Sequence, residues 1–544
     1  MTAVAALPLL DAAAARAGDE AAVAAGDTWA ALMLRAAGHL ARGVVAAGGG
    51  GYGLRVAILV GKGNNGGDGW AAAHLLRDRH GATCWVLAPD GTEVELSTEA
   101  AAHRAAWLDR GGRTSTGVGD LDAALGWADV AVDALLGTGI RGAPRGPAGD
   151  AAAALLRAHD AGTLVVACDV PSGVSSDDGS APDGAVRADV TVTFGGLKRG
   201  LLLHPGAAHA GRVLVGDLGS AYVPPETGWA ALTPAGAIPP PLPVDADKRA
   251  RGVVLAVAGA VGTAGAAALC AEGALRAGAG LVTVATPGPV RGEVAATTDR
   301  GVMVRGVAAD DAGAIAGPDE LPDLAGFDVV VAGPGLGHGA GAAAAVAQLR
   351  ADAPALVLDA DALNVHRDAP DHLADHAGPL VLTPHERELA RIGGGDDGPD
   401  AWSHRVERVP ALARRYDATI VAKGPGTLVA APDGRVWVCP SAGQVGAGTL
   451  GGPALGSGGT GDALAGIVAA AIARADDVPL AVARAVWWHA AAGARAGADR
   501  AGRATATDLL AQLPGVLGDL AATGAQPTRP GVLPWDAWVG EEPR

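Results

Sequence analysis

Two glycine-rich segments of this sequence have residue types suited to holding phosphate groups. Residues 61–69 (GKGNNGGDG) directly follow the apolar run Val56–Val60, and residues 456–462 (GSGGTGD) directly precede the apolar run Ala463–Ala473. Glycine lets the backbone approach a ligand closely, and the N-terminus of a following helix offers unpaired N–H groups to an anion. Two such segments, roughly four hundred residues apart, predict two nucleotide-handling sites and hence two linked activities.

In the first half of the chain, four polar clusters each follow a predicted strand. They are residues 64–68, Asp133 with residues 137–139, residues 169–173 and residues 194–198. Ligands bind beyond the carboxyl ends of the strands in a parallel α/β sheet, so the four clusters together favour a binding site. Each cluster taken alone is more often a turn or a surface group. Asn65, Asp133 and Ser172 offer hard oxygen atoms, which suit an alkali-type cation better than zinc.

In the second half, Asp462 ends the second glycine-rich segment and begins a predicted helix. Amide groups at that helix N-terminus would stabilise phosphate oxygens, while the aspartate lies close enough to accept a proton from a hydroxyl group. The segment is not a Walker A loop, because no Gly-Lys-Ser/Thr ends it. Residues 423–427 (KGPGT) lie between two predicted strands and could seat a nucleotide phosphate. The alternative role for Asp462 is that of an acidic residue capping the helix.

The elements that must position these residues follow an alternating pattern in both halves. Apolar runs of three to six residues alternate with helix-like segments, which predicts an α/β protein with parallel sheets covered on both faces. Helices are predicted over Ala71–Arg79, Glu99–Arg110 and Ala148–His159. The predicted strands are Val56–Val60, Thr83–Leu87, Val130–Ala134, Leu164–Asp169, Val190–Phe194 and Val213–Val215, then Val253–Ala258, Leu281–Ala285, Val329–Ala332, Leu356–Asp359, Leu380–Thr383, Thr419–Ala422, Thr427–Ala430 and Val436–Cys439.

The proline-rich residues 223–244 divide the 544-residue chain, because such a segment favours neither a helix nor a central strand. We therefore predict one domain over residues 1–222, a semi-rigid linker over 223–244, a second domain over 245–523 and a flexible tail over 524–544. The two halves share a fold class but not an order of motifs, so the pattern indicates a fusion rather than a duplication.

Charge and composition exclude several classes of function. The net charge of −17 argues against a nucleic-acid-binding surface, and the four scattered cysteines fit a reducing compartment without a zinc site. The N-terminus lacks the basic region of a signal peptide, and no apolar stretch reaches the roughly 20 residues needed to span a bilayer. We expect a cytoplasmic protein with small-molecule partners, no nucleic-acid or membrane partner, and association as a homo-oligomer.

The first half resembles the NAD(P)H-hydrate epimerase family in residues 63–69, 133–139, 169–173 and 192–200. The resemblance implies a Rossmann-like three-layer sandwich whose substrate is a nicotinamide cofactor hydrated across a ring double bond. It implies potassium held by Asn65, Asp133 and Ser172, and acid–base inversion at the hydrated carbon, for which Asp169 and Lys198 are the candidates. The hydrate would contact Asn64, Asn65, Gly66, Gly67, Asp68, Gly137, Thr138, Gly139, Ile140, Arg141, Gly142, Ala143 and Asp169.

The second half resembles the ADP/ATP-dependent NAD(P)H-hydrate dehydratases, relatives of ribokinase-like kinases. The matching segments are residues 265–267, 275–282, 333–337, 358–364, 383–388, 423–427 and 458–462. The resemblance implies a ribokinase-like three-layer sandwich, phosphoryl transfer to the hydrate's hydroxyl group with Asp462 as base, and Mg²⁺ on the phosphates of ADP or ATP, with Glu388 helping to order the metal. The hydrate would contact Ala266, Gly335 or Gly337, His385 and Asp462. The nucleotide would contact Lys423, Gly424, Pro425, Gly426, Thr427 and Gly461.

The sequence departs from both patterns at a few places. Leu34 stands where an acidic residue is usual, Ala264 where an aromatic residue is usual, and Arg387 where a glycine is usual. Residues 439–455 are rich in glycine and alanine where the family has an asparagine-bearing loop. Two alternatives stay open: a ribokinase-like small-molecule kinase fused to a nucleotide-binding module, and a binding protein without turnover. The fused pair as a whole resembles the bifunctional NAD(P)H-hydrate repair family.

Overall fold

A computed structural model describes residues 5–91, 94–139, 142–242, 245–393, 404–439 and 452–524. The chain divides into two compact units. The first unit comprises residues 7–229. The second comprises residues 230–439 and 452–524 of the described chain together with residues 5 and 6. Among the described residues, no helix combines the length and hydrophobicity needed to cross a bilayer.

The first unit is built around a seven-stranded parallel sheet in the order β4-β3-β2-β5-β6-β7-β9. A further short strand, β8, pairs in parallel with β1 and aligns Lys198 with Leu10. The elements are β1 Ala6–Leu10, α1 Ala12–Ala24, α2 Trp29–Ala47, β2 Arg55–Val60, α3 Asn64–His80, β3 Thr83–Ala88, α4 Thr98–Asp109, β4 Thr114–Thr116, α5 Leu121–Trp127, β5 Val130–Ala134, α6 Gly146–Asp160, β6 Leu164–Cys168, β7 Val190–Phe194, β8 Leu197–Lys198, α7 Gly206–Ala210 and β9 Arg212–Gly216.

Both faces of the first sheet are buried, as the continuous apolar strands predict. Along β2, Val56 and Ile58 belong to one hydrophobic core with α2 and α3, while Ala57 and Leu59 belong to a second core with α5 and α6. Helices therefore cover the sheet on both sides, and the unit has the three-layer Rossmann-like architecture expected from the sequence.

The second unit contains a larger, mixed sheet in the order β13-β12-β11-β14-β15-β16-β17-β18-β19, followed by β10. The seven strands from β11 to β17 pair with one another in parallel. Strands β18 and β19 form the antiparallel pair predicted from the sequence. The elements are β10 Trp229–Leu232, β11 Val253–Val257, α8 Ala264–Arg276, β12 Leu281–Pro287, α9 Arg291–Thr297, β13 Val302–Val307, β14 Val329–Ala332, α10 Ala340–Asp352, β15 Leu356–Leu358, α11 Asp361–Asn364, β16 Leu380–Leu382, α12 Glu386–Gly393, α13 Arg405–Arg415, β17 Thr419–Ala422, β18 Thr427–Ala430, β19 Val436–Cys439, α14 Thr460–Ile472, α15 Val478–Gly497 and α16 Ala506–Gly524.

Helices α8 and α14 cross at backbone contact distance in the core of the second unit. A Cβ atom on Gly466 of α14 would lie 1.9 Å from the carbonyl oxygen of Cys270, and one on Gly273 of α8 would lie 2.3 Å from that of Ala463. Only glycine fits at either place. This crossing fixes the N-terminal end of α14, where Asp462 lies.

The structure corrects three expectations. The predicted loop over residues 64–68 forms the first turns of α3, and α14 begins at Thr460 rather than at Ala463. Glycine disfavours helices, but here close packing overrides propensity: a Cβ atom on Gly66 would lie 1.9 Å from the carbonyl oxygen of Gly61. Within the proline-rich residues 223–244, the proline-free residues 226–233 include a strand, β10. Residues 440–451 and 525–544 lie outside the described chain.

Candidate functional site

The first unit contains a cleft of about 820 Å³ beyond the carboxyl ends of β2, β5, β6 and β7. Its walls bring together eight of the residues predicted from sequence: Asn64, Asn65, Asp68, Gly137, Thr138, Gly139, Asp169 and Lys198. The predicted residues Gly66, Gly67, Gly142 and Ala143 do not line it. Ile140 and Arg141 lie outside the described residues.

Asp169 follows β6 in a left-handed backbone conformation, with a φ of 64° that few non-glycine residues adopt. Its Oδ1 atom accepts hydrogen bonds from Lys198 Nζ at 2.6 Å, from Thr193 Oγ1 at 2.9 Å and from the Phe194 amide at 3.2 Å. Lys198 is buried and also donates to the Phe194 carbonyl oxygen at 2.7 Å. Such backbone strain is retained where the surroundings enforce it, often at functional sites. The aspartate and the lysine thus form one fixed ion pair in the cleft wall.

Three further carboxyl residues line this cleft: Asp68 on α3, Asp19 on α1 and Glu99 on α4. Burial raises the pKa of Asp68 well above its usual range, and the negative charges of Asp169 and Asp19 raise it further. Burial also raises the pKa of Asp19 to about 6, against an opposing effect of the Lys198 ammonium group. The three aspartate carboxyl groups of the cleft and the Lys198 ammonium group therefore interact electrostatically with one another.

Behind the cleft, oxygen atoms converge around Asp133 at the end of β5. Its carboxylate accepts from Ser172 Oγ at 2.6 Å and from the Ser172 amide at 2.7 Å. Asn65 donates through Nδ2 to the carbonyl oxygens of Leu136 at 3.0 Å and Cys168 at 2.8 Å, which leaves its Oδ1 atom facing Gly137. One buried carboxylate, an amide oxygen, a hydroxyl and carbonyl oxygens form a donor set that suits a hard, weakly charged cation.

Several cleft residues were not identified from the sequence. Asp19, Trp29, Met33 and Tyr222 all line the cleft, from α1, from α2 and from the segment after β9. None of them belongs to a glycine-rich segment or directly follows a strand, so the rule that located the other residues could not find them. Leu34, where an acidic residue is usual, does not line the cleft and is 47% exposed.

In the second unit, a buried ion pair lies at the carboxyl ends of β15, β16 and β17. Lys423 Nζ donates to Asp359 Oδ1 at 2.6 Å, and Thr383 Oγ1 donates to the same oxygen at 2.8 Å. Burial opposes the charge on Lys423, but the facing carboxylates of Asp359 and Glu388 leave its pKa raised. A Cβ atom on Gly461 would lie 3.3 Å from Lys423 Nζ, so the ammonium group lies against the first turn of α14. This is an arrangement that suits an anion.

Asp462, also in the first turn of α14, belongs to the same charged cluster. Burial raises its pKa to about 6; the negative charge of Asp359 adds to the rise, and the Lys423 ammonium group opposes it. Thr460 secures the turn by donating through Oγ1 to the Leu455 carbonyl oxygen at 2.8 Å. His489 lies beneath, its Nε2 atom 2.9 Å from the Thr460 carbonyl oxygen. A carboxylate with this pKa is ionised at neutral pH and basic enough to accept a proton.

Glu388 and His385 form the opposite wall of this cluster, at the start of α12. The His385 amide donates to Glu388 Oε2 at 2.9 Å, and His385 Nε2 lies 3.2 Å from Glu388 Oε1. Burial raises the pKa of Glu388 to about 7, while Lys423 opposes the rise. The predicted His385 and the predicted Asp462 are thus connected through Glu388 and Lys423.

The remaining predicted residues of the second unit lie on two loops and in the elements next to them, α8 and β18. Thr263 Oγ1 donates to the Gly335 carbonyl oxygen at 2.7 Å, which ties that loop to the start of α8, where Ala266 lies. The Gly337 amide donates to Asp361 at 2.8 Å. In residues 424–427, Thr427 Oγ1 donates to the Gly424 carbonyl oxygen at 2.9 Å and so closes a tight turn.

Comparison with known proteins covers both units. The family model for the YjeF-related protein N-terminus matches residues 29–200, and the model for NAD(P)H-hydrate dehydratase matches residues 254–515. A solved structure of the ADP/ATP-dependent NAD(P)H-hydrate dehydratase from Bacillus subtilis, co-crystallised with ATP and Mg²⁺, is 28% identical, with a TM-score of 0.45, and covers 52% of this chain and 95% of its own.

Some relatives align along most of the chain, so that the alignment includes both units. The bifunctional NAD(P)H-hydrate repair enzyme of Moorella thermoacetica is 36% identical over 483 residues, covering 86% of this chain and 88% of its own length. The enzyme of the same name from Mycobacterium tuberculosis is 38% identical over 452 residues, covering 81% and 84%. This chain therefore belongs to the family of bifunctional NAD(P)H-hydrate repair enzymes.

Proposed function

We propose that this chain repairs hydrated nicotinamide cofactors in two steps. The first unit interconverts the R and S forms of NAD(P)HX, and the second unit dehydrates the S form to NAD(P)H. The dehydration consumes ADP, or ATP, and releases AMP, or ADP, with phosphate. The observation that carries this function is the alignment of both units with a relative, 36% identical over 483 residues, that is named a bifunctional NAD(P)H-hydrate repair enzyme.

In the epimerase step, the hydrated carbon lies beside the ring nitrogen, whose lone pair weakens the carbon–oxygen bond. The Asp169–Lys198 pair is proposed to exchange protons with the hydroxyl group. Asn64, Asn65, Asp68 and residues 137–139 are proposed to hold the hydrate, because all of them line the cleft. The cleft of about 820 Å³ falls within the size range of small-molecule sites.

Potassium is proposed to be held by Asn65, Asp133 and Ser172. Support comes from the donor set itself, which has one carboxylate among neutral oxygens. These side chains join the loops after β5 and β6 to the start of α3. A cation there would supply positive charge beside the carbonyl oxygens of Leu136 and Cys168 and so keep the three segments together.

In the dehydratase step, hydroxide is a poor leaving group, so the hydroxyl oxygen is first phosphorylated. Asp462 is proposed to accept the hydroxyl proton as the oxygen attacks the terminal phosphorus of the nucleotide. The ring nitrogen then expels phosphate, and loss of a proton from the neighbouring carbon restores the double bond. Lys423 and the amide of Gly461 are proposed to stabilise the negative charge on the phosphoryl oxygens, because both lie at the first turn of α14.

The other contacts follow from the same arrangement. Residues 424–427 are proposed to complete the nucleotide site, and Ala266, Gly335, Gly337 and His385 to contact the hydrate. Magnesium would be carried by the nucleotide phosphates and held on the protein by Glu388, whose carboxyl group lies beside Lys423; it would neutralise charge during phosphoryl transfer.

Supplying the full chain with purified S hydrate, ADP and Mg²⁺ tests the second activity. We expect dihydronicotinamide absorbance to appear together with AMP and phosphate in equal amounts. Supplying R hydrate without nucleotide tests the first activity, with chromatographic separation of R and S. Phosphate transfer to an added alcohol, with no dihydronicotinamide formed, would instead support the small-molecule kinase. Homo-oligomeric assembly, a cytoplasmic location and domain limits at 222 and 245 stay predictions, the first testable by light scattering.

A further inference from the structure

The cleft of the first unit contains a carboxyl group that the mechanism above does not use. Asp19 projects into it from α1, together with Asp68, Asp169, Lys198 and Tyr222. Within the described part of the chain, the Asp19 carboxyl group accepts no hydrogen bond. Asp169 differs, since three donors converge on its Oδ1 atom. Of the two, only Asp19 has both oxygens available to a bound molecule.

The position of Asp19 is fixed by its neighbour in sequence. A Cβ atom on Gly18 would lie 2.6 Å from the Tyr222 hydroxyl oxygen, so the tyrosine packs directly against the backbone of α1. On the other side, a Cβ atom on Gly195 would lie 2.5 Å from Tyr222 Cζ. The buried tyrosine ring is therefore held between two glycines. Helix α1, which carries Asp19, therefore packs directly on that ring at the edge of the cleft.

Inversion at one carbon needs acid–base groups on two faces of the substrate ring, because the hydroxyl group leaves from one face and returns on the other. The Asp169–Lys198 pair reaches the cleft from the ends of β6 and β8. Asp19 reaches it from α1, a different wall. We propose that Asp19 is the second acid–base group of the epimerase, working on the face opposite to the one served by the Asp169–Lys198 pair. This inference rests on the epimerase activity proposed above.

One direction of the reaction begins with proton transfer from Asp19. Protonated Asp19 gives its proton to the hydroxyl oxygen, the carbon–oxygen bond breaks, and the ring nitrogen lone pair forms a carbon–nitrogen double bond as water leaves. Water on the other face attacks the same carbon, returns the electron pair to nitrogen and passes its proton to the Asp169–Lys198 pair. Proton exchange with solvent then returns Asp19 and the Asp169–Lys198 pair to their starting protonation states. In the reverse direction, the two groups exchange roles.

The protonation equilibrium of Asp19 fits this use. Burial raises its pKa to about 6, so both forms are populated near neutral pH. The charged groups that act on it are Lys198, Asp169 and Asp68 in the cleft and Glu20 on its own helix, with the Tyr222 hydroxyl nearby. Arg16 of the same helix and Glu99 of α4 line the cleft as well. As proton donor, Asp19 must be protonated. Because the equilibrium between R and S involves no proton, kcat/KM for both directions should fall together as pH rises above about 6.

The test compares Asp19→Asn, Asp19→Glu and the control Glu20→Gln in the full chain, using R hydrate without nucleotide. Glu20 is exposed and pairs with Arg16, which makes its substitution a matched change of one carboxyl group on the same helix. For Asp19→Asn we expect kcat to fall about a hundredfold or more, with KM within about threefold of wild type. Asp19→Glu should recover part of the rate, and Glu20→Gln should retain most of it, because Glu20 has the smallest of the charge effects on the pKa of Asp19.

The outcomes separate this inference from the activity on which it rests. A wild-type chain that does not interconvert R and S hydrates refutes the epimerase proposal itself. A wild-type chain that does so, with Asp19→Asn retaining more than about half of kcat, refutes the role of Asp19. Equal losses in Asp19→Asn and Asp19→Glu, with KM raised more than about tenfold, would also refute it, because they would mean that Asp19 only shapes the cleft. Loss of the pH limb in Asp19→Asn supports the proposal.

Discussion

The raised pKa of Asp462 leads to a quantitative prediction for the dehydratase. Burial moves this pKa from its ordinary 3.8 to about 6. A general base is active only when deprotonated, so the activity must fall as pH falls through that value. About nine tenths of the group is ionised at pH 7 and about one tenth at pH 5, so kcat/KM for the S hydrate should drop roughly tenfold between them.

The assay follows dihydronicotinamide absorbance with ADP and Mg²⁺ in excess, from pH 5 to pH 8. Asp462→Asn should lower kcat by about 10² to 10⁴, the usual contribution of a general base, and should flatten the profile. The exposed Asp476, replaced by Asn, is the matched control and should leave both rate and profile unchanged.

A phosphate group also titrates near pH 6, so the nucleotide could itself produce an acidic limb. The Asp462→Asn variant distinguishes the two sources, since a limb that persists in it belongs to the nucleotide. A wild-type kcat/KM that stays constant from pH 8 to pH 5 would contradict the reasoning, and so would an Asp462→Asn variant with more than a tenth of the wild-type rate.

Three other outcomes follow from the structure. Lys198→Met leaves the Asp169 carboxylate without its partner in a buried site, so it should abolish epimerisation and cost about 3–5 kcal/mol in urea unfolding, while S-hydrate dehydration is retained. Gly466→Ala places a methyl group 1.9 Å from a carbonyl oxygen of α8 and should destabilise the chain by about 1–3 kcal/mol or more, whereas Gly518→Ala, which has open space, should be neutral or stabilising in the same denaturation assay. Replacing potassium by a bulky tetraalkylammonium ion should slow epimerisation but not dehydration, and Asp133→Asn should remove that dependence; an equal effect on both activities would contradict a site confined to the first unit.

The pattern of apolar runs predicted the strands well because parallel strands buried on both faces need continuous apolar residues. Val130–Ala134 and Val190–Phe194 occur as predicted. Helix starts were predicted less well. Residues 64–68 resemble a loop by composition, but the close approach of Gly66 to Gly61 is a tertiary contact that favours the helix there. Strand β10 was missed for a different reason, because flanking prolines concealed a short proline-free stretch.

In the candidate sites too, residues with a local sequence pattern were predicted, and residues placed by tertiary packing were missed. Asp133 lies near the end of β5, whereas Asp169 and Lys423 each directly follow a strand, and that topology alone placed all three at the correct edge of a sheet. Asp19 and Tyr222 lie in the first cleft only because α1 and the segment after β9 fold back over it. Both lie outside residues 29–200, where the family model for the first unit matches. A contact that depends on packing between distant segments leaves no local pattern in the sequence.

The crossing of α8 and α14 also limits how this enzyme can adapt. Because backbone touches backbone at Gly273 and Gly466, α8 and α14 should move together as one rigid unit. Ala266 lies near the start of α8, and Asp462 lies near the start of α14. Neither helix can slide along the other to accommodate a bulkier substrate. New substrate preferences in this lineage should therefore arise from exchanges in the surrounding loops, such as residues 333–337 and 423–427, while the helical pair stays invariant.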